Sequence, residues 1–154
     1  MNIKTEFSSV PLYSLKLVKD KNVRYPLNQV KDAIHSETIA RTYLQNKDCE
    51  HLISIFMDGR HNMLGLTNVA VGSISGVNAT IRDIFKASIV ARASCIVLAH
   101  NHSSGDTQPS QKDIDFTARA IEAGKLLGIP IIDHIIISSG LDCPSFSFIE
   151  HGLM

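Results

Sequence analysis

The chain has 154 residues, 44% of them hydrophobic, which suits one globular unit with a real core and excludes a disordered or fibrous polypeptide. Fifteen basic residues balance fifteen acidic ones, so no overall field argues for nucleic acid or a membrane surface. Met1 to Asp48 holds 8 basic and 5 acidic residues, an excess too small for a DNA-binding arm.

In chain order, "VPLYSLKLVKD" (Val10 to Asp20) alternates apolar and polar residues around Leu12, Leu15, Leu17 and Val18, which predicts a strand. Residues 1–30 are expected to form an N-terminal strand and lead-in, with 31–154 a single globular unit. Asn28 to Lys47 has helical character, with Ser36 as the expected N-cap and Ile39, Tyr43 and Leu44 at helical spacing. His51 to Met57 reads as a strand, and Asp58-Gly59 as a turn. Two short strands are expected around Met63 to Leu66 and Asn68 to Val71.

"TIRDIFKASIVARA" predicts a helix. Thr80 and Asp83 make a capping-box pair, and Ile81, Ile84, Phe85, Ser88 and Ile89 an apolar stripe. "SCIVLAH" is a continuous apolar run, expected as a central buried strand. A helix follows from Gln111 to Leu127, stopped by Gly128 and Pro130. "IPIIDHIIIS" is a second buried strand, and "FSFIEHGLM" a closing edge strand. The order predicts a mixed α/β domain, a mostly antiparallel sheet with helices packed on it.

Cys49, Cys95 and Cys143 are odd in number and form no CxxC pair. With no leader pattern and no long apolar span, they are expected as free thiols in a reducing cytoplasm.

The chemistry concentrates in "LAHNHSSGDTQPSQKDID", Leu98 to Asp115. His100 and His102 stand two apart at a strand end, so both imidazoles project to one side. Two nitrogen donors on one side make half of a zinc site, although a strand that merely ends on polar residues looks the same. On a helical wheel at about 100° per residue, Asp115, Arg119 and Glu122 share a polar strip, whereas Asp113 points into the apolar arc. A carboxylate aimed at a core needs a cation or several donors. Ser110-x-x-Asp113 also reads as a capping box, a role that competes with metal binding for the Asp113 carboxylate. Gly105 permits a turn at positive φ and Pro109 an extended approach to the helix, so the loop can return the helix N-terminus over the strand end. Two histidines and one aspartate are three ligands, the number that leaves a catalytic zinc an open position. Glu50 is the candidate general base, although as an isolated glutamate it reads first as a solvated residue at a strand start.

His100, His102, Ser110 and Asp113 together fill H-x-H-x7-S-x2-D, which resembles the JAMM motif of the JAB/MPN metalloproteases. The text "IVLAHNHSSGDTQPSQKDIDFTARAIEAGKLLGIPIIDHIIIS" is closer still to the RadC-like JAB domain. "IRDIFKASI", the set Glu50, Phe56, Asp58 and the pair Asp133-His134 agree with it. The resemblance implies a cytidine-deaminase-like α/β sandwich with a central sheet, and zinc held by His100, His102 and Asp113. It implies Glu50 as general base and Ser110 as the donor that stabilises an oxyanion. The activity implied is zinc-dependent hydrolysis of a peptide or isopeptide bond in a peptide or protein-conjugate substrate.

Ser103 stands where the family has proline, which loosens the turn after the second histidine. Full-length RadC proteins carry a helix-hairpin-helix region, which a chain of this length is expected to lack. Direct nucleic-acid binding is therefore not expected. A nucleic-acid-associated RadC-type role and a non-catalytic JAB interaction module are the competing readings. His134 is expected as a hydrogen-bonded group behind the site rather than a ligand. His35, His51, His61 and His151 are expected in surface or turn positions.

Overall fold

The structure is a computed structural model. It describes residues 10–26, 29–72, 79–102, 104–138 and 144–154. Cys143 and the Ser103 substitution lie outside the described residues.

The elements run α1 (Ala33–Leu44), β1 (His51–Met57), β2 (Met63–Val71), α2 (Ile81–Val90), β3 (Cys95–His102), α3 (Gln111–Leu127), β4 (Ile131–Ser138) and β5 (Ser145–Ser147). The strands form one sheet in the order β2-β1-β3-β4-β5. The β1–β2, β1–β3 and β4–β5 pairs are antiparallel, and β3–β4 is parallel, joined through α3. This is the expected α/β sandwich, a mixed and mostly antiparallel sheet flanked by helices.

Period-two alternation divides the central strands between the two faces. Ile53, Ile55, Met57, Val97 and Ala99 pack with Ile39, Ala40 and Leu44 of α1. Phe56, Ile96 and Leu98 pack with Ile84 and Phe85 of α2 and Ala120 of α3 on the other face. Strands buried on both faces have no polar side to show, which is why "CIVLA" reads as an unbroken apolar run.

Both predicted capping boxes form, Thr80 with Asp83 and Ser110 with Asp113. Four local expectations are corrected. The N-cap of α1 is Asp32, whose side chain accepts from the His35 backbone N–H. Ser36 lies inside the helix, buried, and donates back to the Asp32 carbonyl. Asp32 stands three residues before an amide it can cap, and that position fixes the start. The two strands expected in Met63 to Val71 are one strand, because the register shift opposite Leu52 and Ile53 absorbs Val69 without breaking the ladder. Ile89 is half exposed and leaves the buried stripe of α2. No strand forms over Val10 to Asp20. The segment forms no ladder with the edge strand β2, and Val10, Leu12, Leu15 and Val18 are exposed. The chain joins the sheet at Gln29 and Val30, through the Gln29–Asn62 bridge and the Val30 N–H donated to the His61 carbonyl. Among the described residues, no helix is long and apolar enough to cross a membrane.

Candidate metal centre

The site lies at the C-terminal end of β3, where the chain turns into α3. His100 and His102 project from β3 on the face covered by α3, the face of Ile96 and Leu98. The turn after His102 passes through Gly105 at φ 84°, a conformation that costs a side-chain-bearing residue energy. It brings Ser110 and Asp113, at the start of α3, back over the two imidazoles. His100, His102 and Asp113 offer donor atoms that all lie within 4.8 Å of one another. Asp48, Cys49 and His51 form a second such cluster.

The protons in the first cluster follow from its partners. Thr117 Oγ1 donates to the Asp113 carbonyl at 2.6 Å, which uses its only proton. His134 Nδ1, 2.6 Å from the same oxygen, is therefore a donor. His134 Nε2 is then an acceptor, and it receives the Nδ1–H of His100 at 2.8 Å. Burial pushes His134 down to about 4 and holds His100 well below the usual imidazole range, so both rings are neutral. His100 Nε2 is left with a bare lone pair. His102 Nδ1 lies 2.7 Å from the Asp106 carbonyl, which only accepts, so His102 also turns Nε2 toward the cluster.

The two Nε2 atoms are 2.9 Å apart. Two bare lone pairs at that distance repel, so a proton belongs between them as the rings stand; tetrahedral zinc would need the nitrogens about 3.3 Å apart, a small outward shift. Asp113 completes the demand: its Oδ1 is 3.7 Å from His100 Nε2 and its Oδ2 is 3.7 Å from His102 Nε2. These are ion-pair distances, longer than hydrogen bonds. The Asp113 carboxylate raises His102 above the usual imidazole range, which marks where a proton sits when no metal does. Burial works to raise Asp113 itself, but His102 and the donors of Ser110 outweigh it and hold the carboxyl well below the usual range.

The capping bonds to Asp113 converge on one of its two oxygens. The Ser110 N–H and Oγ–H donate to Oδ2 at 2.8 and 2.6 Å, which leaves Oδ1 facing His100. Both oxygens face an imidazole, and Oδ2 carries the cap as well. Three donors of imidazole and carboxylate type, with the rings oriented by carbonyl and histidine partners behind them, fit zinc.

Glu50 precedes β1. The β1–β3 register ends at the Leu52–His100 pair, and Glu50 lies two residues before it. Its negative charge is near enough to help raise His102. Asn101, which sequence reading passed over, holds this end of β1. Its Oδ1 accepts from the His51 N–H at 2.8 Å, and its Nδ2 donates to the Cys49 carbonyl at 2.9 Å. The side chain thus continues the ladder past its last backbone pair and grips the chain on both sides of Glu50. A buried asparagine in an otherwise apolar strand was the available signal, since both of its amide groups need partners.

Asp133 is not part of the cluster. It accepts from the His134 N–H and the Ser147 hydroxyl, tying β4 to the end of the chain. His51, expected at the surface, is buried at 8% exposure.

Residues 29–153 match the family model described as the RadC-like JAB domain. Similar proteins include a UPF0758 protein of Rubrobacter xylanophilus, 35% identical over 75% of this chain and 49% of its own length. Another from Moorella thermoacetica is 45% identical over 60% of this chain and 41% of its own. A third, from Desulfitobacterium hafniense, is 35% identical over 88% of this chain and 57% of its own. The chain spans about half the length of the relatives it matches.

Proposed function

The chain belongs to the RadC-like JAB domain family, and on that premise we propose that it is a zinc-dependent hydrolase that cuts a peptide or isopeptide bond in the cytoplasm. The observation that carries this reading is the convergence of the His100 and His102 Nε2 atoms and the Asp113 carboxylate.

His100, His102 and Asp113 would hold the ion. Zinc so held supplies a Lewis acid that polarises a carbonyl and makes water acidic enough to attack near neutral pH. Glu50 takes the proton of the attacking water and delivers it to the leaving nitrogen. The peptide groups on both sides of Glu50 are gripped by Asn101, which gives that proton transfer a fixed origin. Ser110 turns its hydroxyl from Asp113 Oδ2 to the oxyanion that develops on the substrate. The Ser110 backbone N–H stays on Oδ2, so Asp113 keeps a donor when the hydroxyl leaves. Ser110 is exposed, as a group that meets substrate must be. It acts as a stabiliser, a role that requires no His–Asp pair to make it a nucleophile.

The test is zinc content with turnover on a library of peptides and isopeptide-linked conjugates. The parent is expected to hold one zinc more than Asp113→Ala. Glu50→Gln is expected to keep that zinc and lose hydrolysis. Hydrolysis retained in Glu50→Gln would falsify the mechanism, and equal zinc in parent and Asp113→Ala would remove the site.

A further inference from the structure

We propose that Asp48, Cys49 and His51 form a second cation site, on the opposite face of the sheet, which takes a borderline-soft divalent metal through carboxylate, thiolate and imidazole. The inference does not depend on the hydrolase reading.

Three observations carry it. The first is spacing. Cys49 Sγ lies 3.6 Å from His51 Nε2. Zinc bonds of about 2.3 Å to sulfur and about 2.0–2.1 Å to nitrogen, at a tetrahedral angle, put those atoms roughly 3.6 Å apart. Sulfur and nitrogen already stand at ligand separation. The bend at Asp48 and Cys49 brings the Asp48 carboxylate within 4.8 Å of both.

The second is the orientation of His51. Asn68 Nδ2 donates to the Tyr43 hydroxyl at 2.8 Å, so its Oδ1 is the atom turned to His51 Nδ1 at 3.2 Å. An amide oxygen only accepts, so Nδ1 carries the ring proton and Nε2 presents its lone pair to Cys49. A histidine whose far nitrogen is fixed by an oxygen is the usual support of a metal-binding ring. His51 and its partners are otherwise an expensive way to fill a place beside α1, where an aliphatic side chain would pack.

The third is access. His51 is buried, Cys49 half-buried and Asp48 exposed. The donors form a graded path from solvent and leave a fourth position open to it. By the parity of β1, His51 lies on the α1 face with Ile53 and Ile55, and Cys49 Sγ meets it there, whereas the first cluster faces α3. The two sites differ in chemistry as well as place. The first has nitrogen and oxygen donors only, and the second adds sulfur, which favours softer ions.

The simpler account of the contact is an S–H···N hydrogen bond with Asp48 solvated beside it. Cobalt separates the two, because only sulfur ligation gives a thiolate-to-cobalt charge-transfer band. Co2+ is titrated under reducing conditions into the full chain carrying His100→Ala and Asp113→Ala, its fold checked by circular dichroism. One saturating equivalent with the band is expected. The band is expected to vanish on adding Cys49→Ser, and affinity to fall at least tenfold on adding Asp48→Ala, a change that leaves a Cys–His hydrogen bond alone. In the unmutated chain, Cd2+ is expected to slow alkylation of Cys49 at least tenfold, read by mass spectrometry. That arm stands even if the double variant fails to fold. Absence of the band from a folded variant, its survival in Cys49→Ser, Asp48→Ala affinity equal to the parent's, or alkylation indifferent to Cd2+ would each overturn the assignment.

Discussion

His100 donates its Nδ1–H to His134 Nε2 across 2.8 Å, and this one bond decides which nitrogen of His100 faces the cluster. The decision is made farther back, at Thr117, whose hydroxyl takes the Nδ1–H of His134.

Thr117→Val removes that acceptor and keeps the shape. It leaves a buried N–H unpaired, at a cost of about 1–3 kcal/mol. The relay then loses its direction, and zinc affinity is expected to fall about 10–100-fold, the usual effect of losing a partner behind a ligand. Zinc competition with a chromophoric chelator measures it. Unchanged affinity would show that Thr117 does not set the tautomer.

Asn101→Ala strips two hydrogen bonds from the backbone beside Glu50 and is expected to destabilise the fold by about 1–3 kcal/mol. Asn101 touches none of the three ligands through its side chain, so zinc content should hold. If Glu50 is the base, kcat drops while KM stays near the parent value, because substrate binding survives and proton transfer is misplaced. Equal kcat in variant and parent would make Asn101 purely structural.

Ser110→Ala loses an N-cap worth roughly 1 kcal/mol. If the hydroxyl also meets the oxyanion, kcat falls about 100- to 1000-fold. Ser110→Thr keeps both functions and should recover both readouts. A variant that melts earlier yet turns over normally would confine Ser110 to capping.

The metal-free protein should lose stability in acid. His134 is held at about 4 against an ordinary imidazole value of 6.5. The unfolded chain therefore binds a proton that the folded chain refuses as pH falls between those values. The stabilisation is complete above pH 6.5 and is lost progressively down to pH 4, by about 3 kcal/mol. His102, raised by Asp113, opposes this trend, so the comparison must be made between variants. Urea denaturation across that range should give a flatter profile for His134→Gln. Parallel profiles would show that His134 does not titrate as a buried neutral ring.

Much of the fold was legible because its signals are local. The unbroken apolar run ending at His102 marks a central strand. Ser110 and Asp113 sit at capping separation, and the wheel angle of Asp113 points inward, where it is found buried. What escaped sequence reading depends on partners far along the chain. Asn101 meets residues 50 and 52 positions away, which no periodicity records. His51 reads as a surface or turn residue until Asn68, itself held by Tyr43, bonds it. The alternation of Val10 to Asp20 satisfies a strand pattern, but a pattern supplies no neighbour to pair with. Ser36 is a good capping residue that lost to Asp32 by position.

His100, Asn101, His102, Ser110 and Asp113 fall within 14 consecutive residues, whereas Glu50 arrives from a strand some fifty residues earlier. Mutational drift therefore meets the two halves separately. One substitution at position 50 silences the proposed chemistry and leaves the ligand loop, its caps and its relay untouched. Changes at Ser110 or Asp113 remove the cap of α3 as well and are expected to lower stability. In lineages descended from such a chain, the ligand loop is expected to outlive the base, and an intact His-x-His signature is weaker evidence of turnover than the glutamate at position 50.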